Sequence, residues 1–279
     1  MSATGIGAAV RRKEDLRFIT GKGNYTSDIS RAGEVRAYFL RSQHAHATIK
    51  KVNISAAEKM PGVVAVLTGA DLANDKIGGL ICGWAISSKD GSPMKAGPHP
   101  AIAADKVRCV GDAVALVLAE TLRQARDAAE KIEVDYGVLP AVTDPAKAQA
   151  KGAPQVHDVA PNNTIYEWHL GDQAATEAAF KAAKHVTKLD IINNRLVPNA
   201  MEPRAAIAEY DAGNESLTLW NTSQNPHVAR LVISAFVGMA PEHKLRVIAP
   251  DVGGGFGSKI FIYPEEVGRC GPRAALAVR

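Results

Sequence analysis

The chain has 279 residues, of which 46% are hydrophobic and 22% charged, with a net charge of +4. That is the balance of a globular protein long enough for about two domains. Cys82, Cys109 and Cys270 are too widely spaced for a disulfide framework or a CxxC zinc cluster. Lysines and arginines interleave with acids and aromatics make up only 5%, which excludes a basic, aromatic-studded groove for nucleic acid. The longest apolar run, residues 113–119, falls far short of the roughly 18 to 20 residues of a membrane span. No basic start followed by an apolar run near Met1 marks a signal peptide, so a cytoplasmic location is expected.

In chain order, the first twenty residues read as an exposed arm, and residues 35–41 (VRAYFLR) suit a strand. Residues 63–68 form a second strand after the Pro61-Gly62 turn, and the Gly-, Ser- and Pro-rich stretch 69–100 reads as a surface excursion. The apolar run 113–119 (AVALVLA) predicts a strand buried on both faces. Thr121 then caps a helix carrying Leu122, Ala125, Ala129 and Ile132, and a strand closes at Gly137 and Pro140. Residues 144–163 lose all hydrophobic period and divide the chain into 1–143 and 164–279. Asp172 caps a further helix with Ala175, Ala179 and Ala183 on one face beside Phe180. Strands are expected at 186–192, 206–210, 217–221 and 244–249. Between the last two lies a helix over 227–237 with Val228, Leu231, Val232, Ala235 and Phe236 as its apolar face.

The most informative stretch is DVGGGFGSK, residues 251–259, directly after a predicted strand. Gly253, Gly254, Gly255 and Gly257 remove the Cβ atoms that would hold a ligand away from the backbone. Consecutive N–H groups in such a turn can receive an anion or an oxo group, with Lys259 adding charge. The Walker pattern fails because the order here is Gly257-Ser258-Lys259, and the dinucleotide GxGxxG pattern fails at Ser258. Spacing alone leaves a ligand loop and a flexible connection both open. Gln224 lies where a strand turns into a helix, so it can be a turn amide or can reach a ligand. His44 and His46 share a strand face but lack a third ligand, so no metal site is expected there. Cys109 reads as a small core residue, and Met201-Glu202-Pro203-Arg204 as a source of structural ion pairs.

Taken together, EDLRFITGKGNY (14–25), RSQHAHATI (41–49), HPAIAADKVRCVGDAVALVLAET (99–121), AMEPRAAIAEYD (200–211), TSQNPHVAR (222–230) and PEHKLRVIAPDVGGGFGSK (241–259) resemble one family. It is the molybdenum-binding large subunit of xanthine dehydrogenases and aldehyde oxidases, in the branch of aerobic carbon monoxide dehydrogenases. The resemblance implies an α+β fold, with an N-terminal α/β hammerhead-like domain followed by the start of a molybdopterin-binding domain. It implies a molybdenum–molybdopterin cofactor in its cytosine dinucleotide form, approached by Gln224 and wrapped by Gly254, Gly255, Phe256 and Gly257, with Gln224 and Phe256 contributing to catalysis. It further implies oxidative hydroxylation of an aldehyde, a heterocycle or carbon monoxide with water as the oxygen source. Electrons would leave through a [2Fe–2S] subunit and an FAD subunit of the same complex.

Two departures matter. Ile260 stands where purine-oxidising members carry a glutamate, which argues against a purine substrate. The likeness stops at residues 263–267 (YPEEV), whereas family members continue with most pterin contacts, the substrate loop and a glutamate base. The closing GRCGPRAALAVR reads as a frameshift or truncation product, so the chain is expected to be inactive alone. The competing readings are a non-catalytic scaffold that docks redox subunits, and an unrelated anion-binding domain using the same loop.

Overall fold

The computed structural model describes residues 5–270, so the atypical tail lies outside the described residues from residue 271 onward. A short helix α1 (Asp15–Ile19) precedes three strands, β1 (Arg36–Arg41), β2 (Ala47–Asn53) and β3 (Val63–Thr68). Helix α2 (Gly69–Asn74) opens the stretch expected to be a surface excursion. Thr68 starts it with a capping box closed by Asp71, a local signal that composition alone conceals. The short β4 (Lys106–Val107), then β5 (Ala113–Ala119), α3 (Leu122–Ala129) and β6 (Glu133–Val138) complete the first half.

Two antiparallel sheets result, ordered β1-β5-β3 and β4-β2-β6. All seven residues of β5 are buried, as its unbroken apolar run requires. Ala115, Val117 and Ala119 face Ala125, Ala128 and Ala129 of α3, whose start is held by the Thr121 hydroxyl accepting from the Gln124 N–H. The opposite face presents Leu116 and Leu118 to a second cluster. Each large β5 side chain so enclosed contributes roughly 1.5 to 3 kcal/mol.

That second cluster joins the two halves of the chain. It packs Phe39, Leu116 and Leu118 with Leu217, Leu219, Ala229, Ile233 and Leu245. The C-terminal half carries α4 (Gln173–Ala182), β7 (Ala206–Asp211), β8 (Ser216–Asn221), α5 (Pro226–Leu231), β9 (Leu245–Ile248) and α6 (Pro264–Cys270). The sheet runs β7-β8-β9, antiparallel between β7 and β8 and parallel between β8 and β9. A parallel pair needs a long crossover. Helix α5 and the π-helical turn Val232–Val237 supply it.

Two expectations fail. Residues 186–192 form no strand, and Leu189, Ile191 and Ile192 are exposed. A strand is held by ladder hydrogen bonds, and no described segment pairs with this one. The crossover helix buries Ala229, Ile233 and Val237, while Val228, Leu231, Ala235 and Phe236 face outward. This segment is apolar nearly all round, so packing against β9 and the core, rather than the pattern, selected the buried face. Helix α4 has its Asp172 cap, with the carboxylate accepting from the Ala175 N–H at 2.9 Å, but buries no residue at all. Phe180 lies open to solvent there.

Candidate functional site

The parallel pairing of β8 with β9 determines where the site lies. Both strands end at the same edge, so the residues that follow each of them emerge side by side. In open sheets, ligands settle in the crevice beyond the carboxyl ends of parallel strands. Gln224 lies three residues past β8, and the glycine loop begins five past β9.

The two segments are stitched together by Gln224. Its backbone N–H donates to the Lys259 carbonyl at 2.9 Å. Its side-chain oxygen Oε1 accepts the Gly257 N–H at 3.0 Å and the Lys259 N–H at 3.3 Å. With Oε1 committed to the loop, the Nε2 protons remain available as donors on an exposed side chain. The loop itself is tightly folded. A Cβ on Gly255 would lie 2.4 Å from Gln224 Oε1, and one on Gly253 would lie 2.5 Å from Glu202 Cβ. Phe256 adopts φ +49°, a left-handed conformation that is costly for an aromatic residue, and the residue is 75% exposed.

The loop's backbone donors divide into two groups. Gly253 N–H goes to Glu202 Oε2 at 2.7 Å, and Gly257 and Lys259 serve Gln224. Among the described residues, the N–H groups of Gly254, Gly255 and Phe256 have no protein acceptor. Three successive unpaired donors in a glycine turn can receive an anionic or oxo-bearing group.

Lys259 does not supply charge to that receptor, contrary to expectation. It is 1% exposed and its Nζ donates to the Glu202 carbonyl at 2.8 Å and to Glu202 Oε2 at 2.9 Å. Its role is structural, as a strut under the loop. The ion pairs expected of residues 201–204 are both present: Glu202 with Lys259, and Arg204 with the buried Glu266 of α6. Arg204 also donates to the Ser258 carbonyl at 2.6 Å and to the Phe261 carbonyl at 3.0 Å. Burial raises the carboxyl pKa of Glu266, and Arg204 opposes that rise.

Sequence reasoning missed the anchor at the loop's other end. Arg17 of α1 forms a two-pronged ion pair with Asp251, and the Asn24 N–H donates to Asp251 Oδ2 at 2.7 Å. The Arg17 hydrogen bonds hold the Asp251 carboxyl below its ordinary pKa of 3.8, with help from the Asn24 N–H. The N-terminal segment is therefore fastened to the loop rather than free, although Leu16 and Ile19 stay exposed. The only hint in the sequence was the acid opening DVGGG.

The remaining candidates lie elsewhere. His46 Nδ1 meets the Pro140 carbonyl at 2.8 Å, and the His44 ring packs edge-on against Tyr136. Cys109 is exposed rather than part of the core, because its side chain turns to Asp112 at 3.0 Å. Partial desolvation of its sulfur, reinforced by the Asp112 carboxylate, pushes the thiol pKa up to about 11, which suppresses nucleophilicity.

Residues 20–140 match the aldehyde oxidase and xanthine dehydrogenase a/b hammerhead domain, and residues 156–272 match the molybdopterin cofactor-binding domain. The chain belongs to the xanthine dehydrogenase and aldehyde oxidase family. It is similar to the N-terminal part of the molybdenum-binding large subunits of that family. It is 40% identical over 272 residues to the carbon monoxide dehydrogenase large chain of Afipia carboxidovorans, covering 93% of this chain and 32% of that one. With the nicotine 6-hydroxylase large subunit of Paenarthrobacter nicotinovorans it shares 36% identity, covering 94% of this chain and 31% of the relative. Among solved structures, Cu,Mo-CO dehydrogenase in its carbon monoxide reduced state superposes with a TM-score of 0.82 at 36% identity, over 99% of this chain and 34% of that one. Quinoline 2-oxidoreductase from Pseudomonas putida 86 gives 0.84 at 33% identity, over 96% of this chain and 33% of its own. The chain thus spans about a third of the length of these relatives. Among the described residues, no helix is long and apolar enough to cross a membrane.

Proposed function

We propose that this chain contributes the N-terminal part of the cofactor cradle of a molybdenum hydroxylase, with residues 1–143 as the hammerhead unit and residues from 164 as the start of the molybdopterin-binding unit. The observation that carries the reading is the pairing of three unpaired loop N–H groups with an outward-facing Gln224 amide. That donor set fits an oxo-bearing, anionic group, because the nearby carboxylate of Glu202 is already neutralised by Lys259 beneath the loop. A molybdenum–molybdopterin cofactor, in its cytosine dinucleotide form, would supply the two-electron redox chemistry of oxidative hydroxylation. Gln224 Nε2 and the Gly254, Gly255 and Phe256 backbone would hold and orient it, and Gly257 would keep Gln224 in register. The exposed Phe256 ring, beside this cradle, would present an apolar edge to the substrate. Substrates in this reading are aldehydes, heterocycles or carbon monoxide rather than purines, since Ile260 offers no carboxylate to hold a purine. [2Fe–2S] and FAD subunits of a cytoplasmic complex would accept the electrons.

The test is a chimera in which this chain replaces the matching third of the Afipia carboxidovorans large chain. Gln224→Ala and Gly255→Ala should each lower molybdenum content, measured by mass spectrometry on purified protein, at least several-fold. Full molybdenum occupancy in both variants would refute the assignment.

A further inference from the structure

The glycine loop opens on an acid. Asp251 stands three residues before Gly254, the first of the three unpaired donors, and a carboxylate so close along the chain works against an anionic guest. Glu202, the buried carboxylate at the same loop, is neutralised by Lys259 from beneath. Asp251 is met instead from the opposite end of the chain. Arg17 engages both of its oxygens, through Nη2 to Oδ1 at 2.7 Å and through Nη1 to Oδ2, and the Asn24 N–H adds a third bond at 2.7 Å. The guanidinium carbon lies 4.8 Å from the Phe18 ring centroid, and Phe18 stacks on Tyr25 at 6.3 Å. Tyr25 in turn forms a parallel backbone bridge with Asp251. Residues 17–25 thus set both the charge and the position of one acid at the entry of the loop. The Arg17 side chain is 40% exposed and that of Asp251 15%. Ion pairs open to that much water contribute little to the stability of a whole fold, so the consequence of this one is local.

We infer that Arg17 is a positioning residue for the site: acting through Asp251, it holds the entry of the glycine loop in place and cancels a carboxylate that would otherwise repel an anionic group from the Gly254, Gly255 and Phe256 donors. The inference deepens the cradle reading and rests on it. A mechanical fastening and a charge-cancelling one make opposite forecasts. If the pair only fastens, losing either partner or both does the same damage. If Arg17 also cancels charge, its loss alone is the worst case, because Asp251 stays ionised beside the donors, and removing the Asp251 charge as well repairs part of the harm.

The test uses the chimera that carries this chain in place of the matching third of the Afipia carboxidovorans large chain, with molybdenum content read by mass spectrometry. Arg17→Gln should lower that content about fivefold or more, and Asp251→Asn only about twofold, because no negative charge is then left at the loop. The double variant Arg17→Gln/Asp251→Asn should return to the level of Asp251→Asn. A double variant no better than Arg17→Gln overturns the inference. In the chain alone, with no cofactor involved, Arg17→Gln should speed amide exchange at Asp251 and Gly253 about tenfold. Exchange in β5 should stay unchanged, and the melting temperature should fall by no more than about 4 °C. Unchanged exchange at Asp251 and Gly253 overturns the inference, and so does faster exchange throughout β5, which would mark a role in the fold at large. Full molybdenum in Arg17→Gln beside a depleted Gln224→Ala refutes this inference and leaves the cradle reading standing. Full molybdenum in both refutes the cradle reading, and this inference with it.

Discussion

Replacing Lys259 with methionine tests the strut beneath the loop. The side chain is 1% exposed and its partner Glu202 10% exposed, so neither charge is screened by water. Methionine fills a similar volume but removes both Nζ hydrogen bonds, at 2.8 and 2.9 Å, and leaves the Glu202 carboxylate buried without its counter-ion. Breaking a buried ion pair from one side costs about 3 to 5 kcal/mol. For a chain of this size that corresponds to a fall in melting temperature of roughly 6 to 20 °C. Urea unfolding of the purified chain measures it directly, with the slope checked for constancy. Glu202→Gln should cost less, because its amide oxygen can still accept from the Gly253 N–H and from Lys259. The double variant Lys259→Met/Glu202→Gln should recover part of the loss, giving a coupling of about 1 to 3 kcal/mol. A cost below about 1 kcal/mol for Lys259→Met, with no coupling, would show that the pair does not brace the loop and that Lys259 is free to serve a ligand.

Three further outcomes are expected. Gly255→Ala should displace the flexible Gln224 side chain, lowering stability by only about 1 kcal/mol while amide exchange at Gly257 and Lys259 accelerates; unchanged exchange would refute the stitched geometry. Because its folded-state pKa lies below 3.8, Asp251 contributes stability above that value and loses it as pH falls through the lowered pKa. The stability gap between the parent and Asp251→Asn, followed by urea unfolding, should therefore be present at neutral pH and close on acidification below about pH 4; a gap independent of pH would contradict the ion pair with Arg17. Finally, Cys109, with its thiol pKa at about 11, should be alkylated slowly at pH 8, where about one thiol in a thousand is ionised. Asp112→Asn should speed that reaction, as followed by peptide mass spectrometry.

Local order was legible where short-range physics decides. The bounds of β3 and β5 and the caps of α3 and α4 follow from apolar runs and from hydroxyl or carboxylate groups that satisfy the first free N–H groups of a helix. The sequence alone also marked the glycine loop and Gln224, since the chemistry of close backbone approach is written in the residue types. It could not show that they touch. That contact exists because β9 lies parallel beside β8, bringing two chain segments more than thirty residues apart to one edge. The same long-range geometry turned Lys259 inward and brought Arg17 to Asp251 across 234 positions. It also chose the buried face of the crossover helix and left the strand-like run at 186–192 without a pairing strand among the described residues. Propensity and capping act within a turn or two of the chain. Pairing, register and the neutralisation of buried charge depend on whichever distant residues the fold delivers, and those were decided only by the tertiary structure.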